Sequence, residues 1–352
     1  MTSATSVSQI APASFDWGSS TGVAEGVRRA LAAATATDGS SPLDEAALLS
    51  LRHSGLANSA LWVAELSDAE LSNAELSDAE AARAPHAPDN SVAGFALADA
   101  PPGSSGDVEV NLVVTSSSRG RGVGHALAAT VLDACPGANI SAWSHGNHPA
   151  ATALASDLGF ERIRDLWVMR RSFDDPLPEV TVPASSVVRP FEPGRDEQAF
   201  LEVNAAAFAH HPEQGDMTRA DLDQRMVEDW FDSAGFFLAQ STAQGEGGRL
   251  LGFHWTKVHR DDPPHGEVYV VGVSPGAQGM GLGKVLTLTG LHHLRSLGLG
   301  EVILHVEADN DAAVGVYRGL GFTHADEDTH VMYARNSSAP SRGRRRRRAA
   351  GA

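Results

Sequence analysis

Residues 267–286 read Glu-Val-Tyr-Val-Val-Gly-Val-Ser-Pro-Gly-Ala-Gln-Gly-Met-Gly-Leu-Gly-Lys-Val-Leu. A run rich in β-branched residues, a Ser-Pro-Gly turn, a glycine loop and an apolar helix start follow one another without a break. This order predicts strand, loop and helix. The same succession stands at residues 108–127: Val-Glu-Val-Asn-Leu-Val-Val-Thr, then Ser-Ser-Ser-Arg-Gly-Arg-Gly-Val-Gly-His-Ala-Leu. Further on, each half carries a second small-residue helix ending in Leu-Gly-Phe, at Leu158-Gly159-Phe160 and Leu320-Gly321-Phe322. The loops are offset by 159 residues and the Gly-Phe pairs by 162. Two elements recurring in order at nearly one spacing indicate a duplicated domain. The expectation is a mixed α/β fold in two tandem domains, 1–173 and 188–336. Residues 174–187, with three prolines, read as a linker, and 337–352 as a disordered, arginine-rich tail.

Composition narrows the function classes. The 352 residues are 42% hydrophobic and 20% charged, with a formal charge of −17 and one cysteine, Cys135. Such a chain is globular, and a single cysteine closes no intramolecular disulfide. Arg342 and Arg344 to Arg348 crowd the tail, so the body is more acidic than the total. An acidic body disfavours nucleic acid and anionic membrane as partners. No basic leader precedes an apolar core, and no run approaches the ~20 apolar residues of a membrane span. A cytoplasmic monomer acting on a small molecule is expected. Histidines occur as His210-His211 and His292-His293, but adjacent residues do not converge on one helix face, and no metal-ligand spacing is present. No metal is expected. Residues 64–80 repeat Ala-Glu-Leu-Ser-(Asp/Asn), too briefly for a solenoid, and read as an acidic surface excursion.

A glycine loop between strand and helix lets backbone N–H groups approach a phosphate, with the helix N-terminus adding partial positive charge. A P-loop is excluded because Gly283-Lys284 is followed by Val285. The dinucleotide fingerprint is excluded by spacing. What remains is Arg119-x-x-Gly122-x-Gly124 and Gln278-x-x-Gly281-x-Gly283, which resemble the pyrophosphate loop of acetyl-CoA-dependent N-acetyltransferases of the GNAT superfamily. The resemblance implies a strand that splays from its neighbour to receive pantetheine, at Val271, Gly272 and Val273 in the second half and at Leu112, Val113 and Val114 in the first. A backbone N–H near Val273 would polarise the thioester carbonyl. The loops implied for the cofactor are Gln278, Gly279, Met280, Gly281, Leu282, Gly283 and Lys284, with Phe322, and Gly120, Arg121, Gly122, Val123, Gly124 and His125.

A closer likeness lies in Ala206-Ala207-Phe208, His211-Pro212-Glu213-Gln214-Gly215, Gly252-Phe253-His254-Trp255-Thr256-Lys257-Val258 and Gly266 to Val273, and more weakly in Asp38-Gly39-x-x-Pro42-x-x-Glu45. Together with the tandem organisation these resemble the mycothiol synthase family. That resemblance implies acetyl transfer from acetyl-CoA to the cysteinyl amine of cysteinyl-glucosaminyl-inositol. It places Tyr317 near the CoA sulfur as donor to the leaving thiolate, and Glu267 at the start of the splayed strand as general base, acting through water. Glu45, Glu213 and Lys257 are implied substrate ligands, with Glu267 and Tyr317. The position matching Tyr317 in the first half is Ala155, which cannot donate, so only the second domain is expected to be catalytic. An N-acetyltransferase acting on an aminoglycoside or a peptide N-terminus, and a silent acetyl-CoA sensor, are the alternatives.

Overall fold

A computed structural model describes residues 5–66, 92–210, 212–245, 247–260 and 263–337, without the side chains of Pro212 and Glu213. The tail beyond residue 337, and the acidic repeat from residue 67 on, lie outside the described residues. The first half of the chain supplies β1 (Ser6–Ile10), α1 (Gly22–Asp38), α2 (Glu45–His53), β2 (Ala60–Glu65), β3 (Val92–Ala98), β4 (Asp107–Val114), α3 (Val123–Ala134), β5 (Asn139–Ser144), α4 (Pro149–Leu158) and β6 (Glu161–Ser172). The second supplies β7 (Ser186–Pro190), α5 (Glu197–Ala207), α6 (Pro212–Gly215), α7 (Arg219–Met226), β8 (Phe236–Ser241), β9 (Leu250–His259), β10 (His265–Val273), α8 (Leu282–Ser296), β11 (Glu301–Glu307), α9 (Asp311–Gly319) and β12 (Thr329–Arg335).

The chain divides into two compact units, one running to Asp165 and resuming at Asp326, the other Leu166–Ala325. In the first, the strand order is β1-β2-β3-β4-β5-β12, with β4 and β5 parallel and the other neighbours antiparallel. In the second it is β7-β8-β9-β10-β11-β6, with β10 and β11 the parallel pair. Each unit is thus a mixed α/β sheet of the same order, as the repeat implies. The division differs from the boundaries expected at 173 and 188. Residues 166–172 of β6 pair with β11 in the second unit, and β12 pairs with β5 in the first. Period-two alternation fixes which face of a strand is buried and leaves its partner open, so two similar strands are interchangeable on that criterion.

The stretch expected as a linker has no helix or strand between Ser172 and Ser186, yet it is fastened to the second unit. Phe173 is buried, Leu177 and Val180 pack on the core of β10, β11, α8 and α9, and His292 Nε2 meets the Pro178 carbonyl at 2.8 Å. The buried Arg171 guanidinium donates to the carbonyls of Asp175 (3.2 Å) and Pro176 (3.1 Å), and its Nε to that of Leu320 at the end of α9 (2.7 Å). The orphan carbonyls of a helix C-terminus are met here by a cation, which the helix dipole favours.

Helix α8 shows how the core is built. Leu288, Leu291 and Leu294 lie on one face and pack on Val268, Val302 and Leu304 of the sheet. One turn also meets a buried histidine: His254 of β9 donates from Nδ1 to the Leu286 carbonyl at 2.8 Å, and burial lowers its pKa to about 4, so it is neutral at pH 7. Its ring occupies the space beside Gly290, where a Cβ would overlap it. Gly290→Ala should therefore destabilise the protein by about 1–3 kcal/mol. Gly315→Ala, at an exposed position of α9 where a Cβ meets nothing within 4 Å, should stabilise by about 0.4–1 kcal/mol. Urea denaturation of the two variants beside the parent checks the opposite signs.

Candidate active site

In the second unit, the parallel pairing of β10 with β11 covers only Gly266↔Val302, Glu267↔Ile303 and Val268↔Leu304. Beyond Val268 the two strands continue unpaired with each other, to Val273 and Glu307. On the other edge β10 stays paired with β9 as far as Val273↔Gly252, with a bulge at Tyr269. A fork results, with Val271, Gly272 and Val273 on its open arm. The backbone groups along the parted edges are available to an extended ligand, because paired strands would have used them on each other. The arm sits tightly on β9: a Cβ on Gly252 would stand 2.7 Å from the Gly272 carbonyl, and one on Gly272 would stand 2.8 Å from the ring of Phe253.

The arm leads into the loop Gln278–Lys284. Gly279 and Gly281 have φ of +82° and +77°, a region costly to other residues. Gly281 is the N-cap of α8 and supplies no side-chain cap. The first-turn N–H groups, at Leu282, Gly283 and Lys284, therefore lack an intrahelical acceptor and point out at an exposed glycine loop, an anion cradle of ordinary design. A Cβ on Gly283 would meet the Val273 side chain at 3.9 Å, so helix start and fork arm adjoin. Met280 and Lys284 are exposed and Leu282 is buried. These features fit the pyrophosphate and pantetheine of an acyl-CoA.

Glu267 lies in the middle row of the pairing, one residue before the fork opens. Its side chain is 9% exposed. His259 Nε2 donates to Oε2 at 2.6 Å, and His305 Nδ1 lies 3.2 Å from Oε1. Burial alone would raise its pKa, but the two histidines outweigh it and hold the carboxyl well below the usual carboxylate range. Lys257, directly opposite Glu267 on β9, shares its face. Its ammonium stands 4.5 Å from the centroid of Trp230 and 5.1 Å from that of Tyr269, whose hydroxyl accepts from Arg225 Nε at 2.8 Å.

Tyr317 is on α9, packed edge-on against Phe322, whose centroid is 5.9 Å away. Burial pushes its hydroxyl up to about pKa 12, and among the described residues nothing hydrogen-bonds it. It is a protonated donor throughout the neutral range. Phe322 is buried behind it, and Arg171 fixes the helix end between them.

The first unit repeats the fork without these groups. β4 and β5 pair at Asp107↔Asn139, Val108↔Ile140 and Glu109↔Ser141 and then part, leaving Leu112, Val113 and Val114 on the arm. Gly120 and Gly122 have φ of +73° and +87°, Gly122 caps α3 without a side-chain bond, and Arg121, Val123, Gly124 and His125 follow the same path. A cavity of about 360 Å³ opens here, lined by both arm and loop. Row for row, however, Val108 stands where the second unit has Glu267, Ala142 where it has His305, and Ala155 where it has Tyr317. Tyr333 of β12 packs on Ala155 and shares a hydrogen bond of 2.8 Å with Thr152. Glu45 opens α2 of this unit, behind the N-cap Asp44. The Glu213 side chain lies outside the described residues.

Sequence reading did not find His259 and His305. Both were accessible to period-two counting, since His259 alternates with Lys257 and His305 with Ile303, the register partners of Glu267. Only the register, a tertiary fact, joins them.

The model of the acetyltransferase (GNAT) family matches residues 56–160 and 202–322. A mycothiol acetyltransferase of Nocardioides sp. is 47% identical over 313 residues, covering 86% of this chain and 94% of its own. One from Nocardia farcinica is 46% identical over 90% of this chain and 95% of its own. Among solved structures, the tandem GNAT protein from the clavulanic acid biosynthesis pathway superposes with a TM-score of 0.65 at 18% identity, over 96% of this chain and 99% of that one. A GCN5-related N-acetyltransferase from Sphaerobacter thermophilus gives 0.61 at 22%, over 95% and 96%. With two matched segments and relatives of this identity along nearly their full length, the chain belongs to the GNAT acetyltransferases, and within them to the mycothiol acetyltransferase family.

Proposed function

We propose that this enzyme transfers the acetyl group of acetyl-CoA to the cysteinyl amine of cysteinyl-glucosaminyl-inositol in the second unit, giving mycothiol and CoA by direct transfer in a ternary complex. The observation that carries the reading is Glu267 in the middle of the three paired rows that close a strand fork, ionised and flanked by two histidines, in a chain 47% identical to a mycothiol acetyltransferase. Acetyl-CoA supplies a thioester acetyl. The residues that would hold it are the fork arm Val271–Val273 and the loop Gln278–Lys284, with Phe322 backing the end of α9.

An α-amino group has a pKa of about 8, so a sizeable share is neutral near pH 7.5. As its nitrogen bonds to the carbonyl carbon it must lose a proton, and Glu267 receives it through water. As the carbon–sulfur bond breaks, Tyr317 donates a hydrogen bond to the thiolate. With a pKa near 12 the phenol stabilises the sulfur chiefly by that bond rather than by losing its proton. Lys257 and Glu213, both of the second unit, are the ligands for the sugar hydroxyls and the charged amine; Glu45, expected as a further ligand from the sequence, belongs to the first unit. The first unit, with Val108, Ala142 and Ala155 in place of the ionisable set, keeps a cofactor-binding fork and no acid–base chemistry. Incubation with acetyl-CoA and cysteinyl-glucosaminyl-inositol should yield a product heavier by one acetyl group at the amine by mass spectrometry. Acetylation of an aminoglycoside or peptide amine at equal kcat/KM would overturn the assignment.

Two sets of variants test the roles. Glu267→Gln should lose roughly 100–10,000-fold in kcat and Tyr317→Phe roughly 10–1,000-fold, with acetyl-CoA binding retained in both. Because Tyr317 titrates near pH 12, the parent enzyme should show no alkaline fall in kcat up to pH 10 from this group, and Tyr317→Phe should lower the whole profile in parallel. A Glu267→Gln enzyme with raised KM and normal kcat would make Glu267 a substrate ligand only.

The two loops should differ. Gly281→Val, at a positive φ beside the helix N–H groups, should abolish turnover. Gly122→Val should remove acetyl-CoA binding to the first unit by calorimetry and leave measurable turnover. Complete loss in a folded Gly122→Val protein would contradict the division of labour.

A further inference from the structure

Lys257 and Glu267 stand directly opposite each other on β9 and β10 and share one face of the sheet. Opposite charges so placed ordinarily pair with each other. Here the carboxylate accepts from His259 at 2.6 Å and from His305 at 3.2 Å, while the ammonium lies over two aromatic rings.

The two rings come from different elements, and each is held in place. Trp230 follows α7, in a segment tied down at two points: the Phe231 N–H donates to the Glu228 carbonyl at 3.0 Å, and Arg260, just past β9, donates to the Asp229 carbonyl at 3.1 Å. Tyr269 is the extra residue of the β10 bulge, and a bulge re-aims the side chain it carries. Its hydroxyl accepts from Arg225 Nε of α7 at 2.8 Å. The two rings lie 5.0 Å apart with planes at 54°. Against both packs the fully buried Trp255, 5.5 Å from Trp230 and 5.2 Å from Tyr269, itself stacked on Phe236 at 4.6 Å. The Lys257 ammonium, 4.5 Å from the Trp230 centroid and 5.1 Å from that of Tyr269, is within range of both. A ring attracts an ammonium by its quadrupole and leaves the charge in place, whereas a carboxylate would cancel it. The first unit is built otherwise. Its β3–β4 pairing runs from Gly94 to Ala98 without a bulge, and counting from Gly94 and Gly252, which face the ends of the two arms, Asp99 stands where the second unit has Lys257.

We propose that Trp230 and Tyr269 are positioning residues of the substrate site: their rings hold the Lys257 ammonium on the face it shares with Glu267, charged and ready to donate to the sugar hydroxyls of the amine substrate. The inference rests on the reading of Lys257 as a substrate ligand. A lysine side chain loses rotamer freedom when a ligand fixes it. Rings that fix it beforehand remove that cost from binding. The sugar takes no part in bond making, so a contact to it serves the ground state and the transition state alike. Loss of the cradle therefore falls on KM for the amine substrate and spares kcat.

The test is a double-mutant cycle in the full-length enzyme with acetyl-CoA and cysteinyl-glucosaminyl-inositol. Trp230→Leu should raise KM for the amine substrate roughly 2–30-fold, the span of one cation–ring contact written as a ratio. Its kcat and its KM for acetyl-CoA should stay within about threefold of the parent. Lys257→Met should raise the same KM. Because the ring acts through the ammonium, adding Trp230→Leu to Lys257→Met should raise KM by no more than about twofold further, an outcome that a purely structural role of the indole does not produce. Trp230→Phe, which keeps a ring, should recover most of the loss. Tyr269→Leu, taken through the same cycle, covers a failure of Trp230→Leu to fold. Additive losses in the double variant, or a phenylalanine variant as impaired as the leucine one, overturn the cradle. If Lys257→Met raises KM while Trp230→Leu and Tyr269→Leu do not, the positioning role alone fails. If Lys257→Met leaves KM unchanged, the ligand reading and the positioning role fail together.

Discussion

The parting of β10 from β11 after Val268 is the constraint on which the active site depends. Parallel strands that stay in register satisfy each other's backbone groups and leave nothing for a ligand. Strands that separate after three rows create a slot whose walls are peptide groups and whose closed end is a packed sheet. Everything chemical is then fixed relative to that closed end. Glu267 is in the middle row, His305 is just beyond the last one, and the glycine loop begins where the free arm ends. Backbone binding of this kind tolerates sequence change along the arm, since the ligand reads peptide groups rather than side chains. It is intolerant of bulk at the few positions where backbones close up, as at Gly252 against Gly272.

The duplication makes the point by subtraction. Both units keep the fork, the positive-φ glycines and the uncapped helix start, so binding geometry is carried by features that side-chain drift does not erase. The ionisable set is carried by individual side chains, and in the first unit the counterparts of Glu267, His305 and Tyr317 are apolar: Val108, Ala142 and Ala155. An apolar residue at the first of these rows is the less demanding choice. A buried carboxylate needs partners such as His259 and His305 to offset desolvation, and without them it costs stability.

Much of this was legible from the chain. Strand, loop and helix could be read at 108–127 and 267–286 because period-two alternation, turn residues and glycines are local signals. The offset of about 160 residues tied the two together. Tyr317 and Ala155 could be compared because both precede a Gly-Phe pair by a fixed count. Partnership across strands was not legible. The bonds from His259 and His305 to Glu267 span 8 and 38 residues and depend on register. The destination of β6 and β12 depends on which sheet edge is open, which no pattern within either strand encodes.

That last feature bears on how the protein is made. The first unit contains both early and late parts of the chain, and its sixth strand is residues 329–335. A ribosome releases β5 with one edge bare and must finish the whole second unit before the covering strand emerges. Vectorial synthesis therefore completes the second sheet first, since all of its strands lie between residues 166 and 307, while the earlier-made one waits. The loop closed by that final pairing adds little equilibrium cost, because closure entropy grows only logarithmically with length. It does lengthen the time during which a sheet edge stands open to other nascent chains, so the demand on chaperones falls on the half of the protein that does no acid–base chemistry.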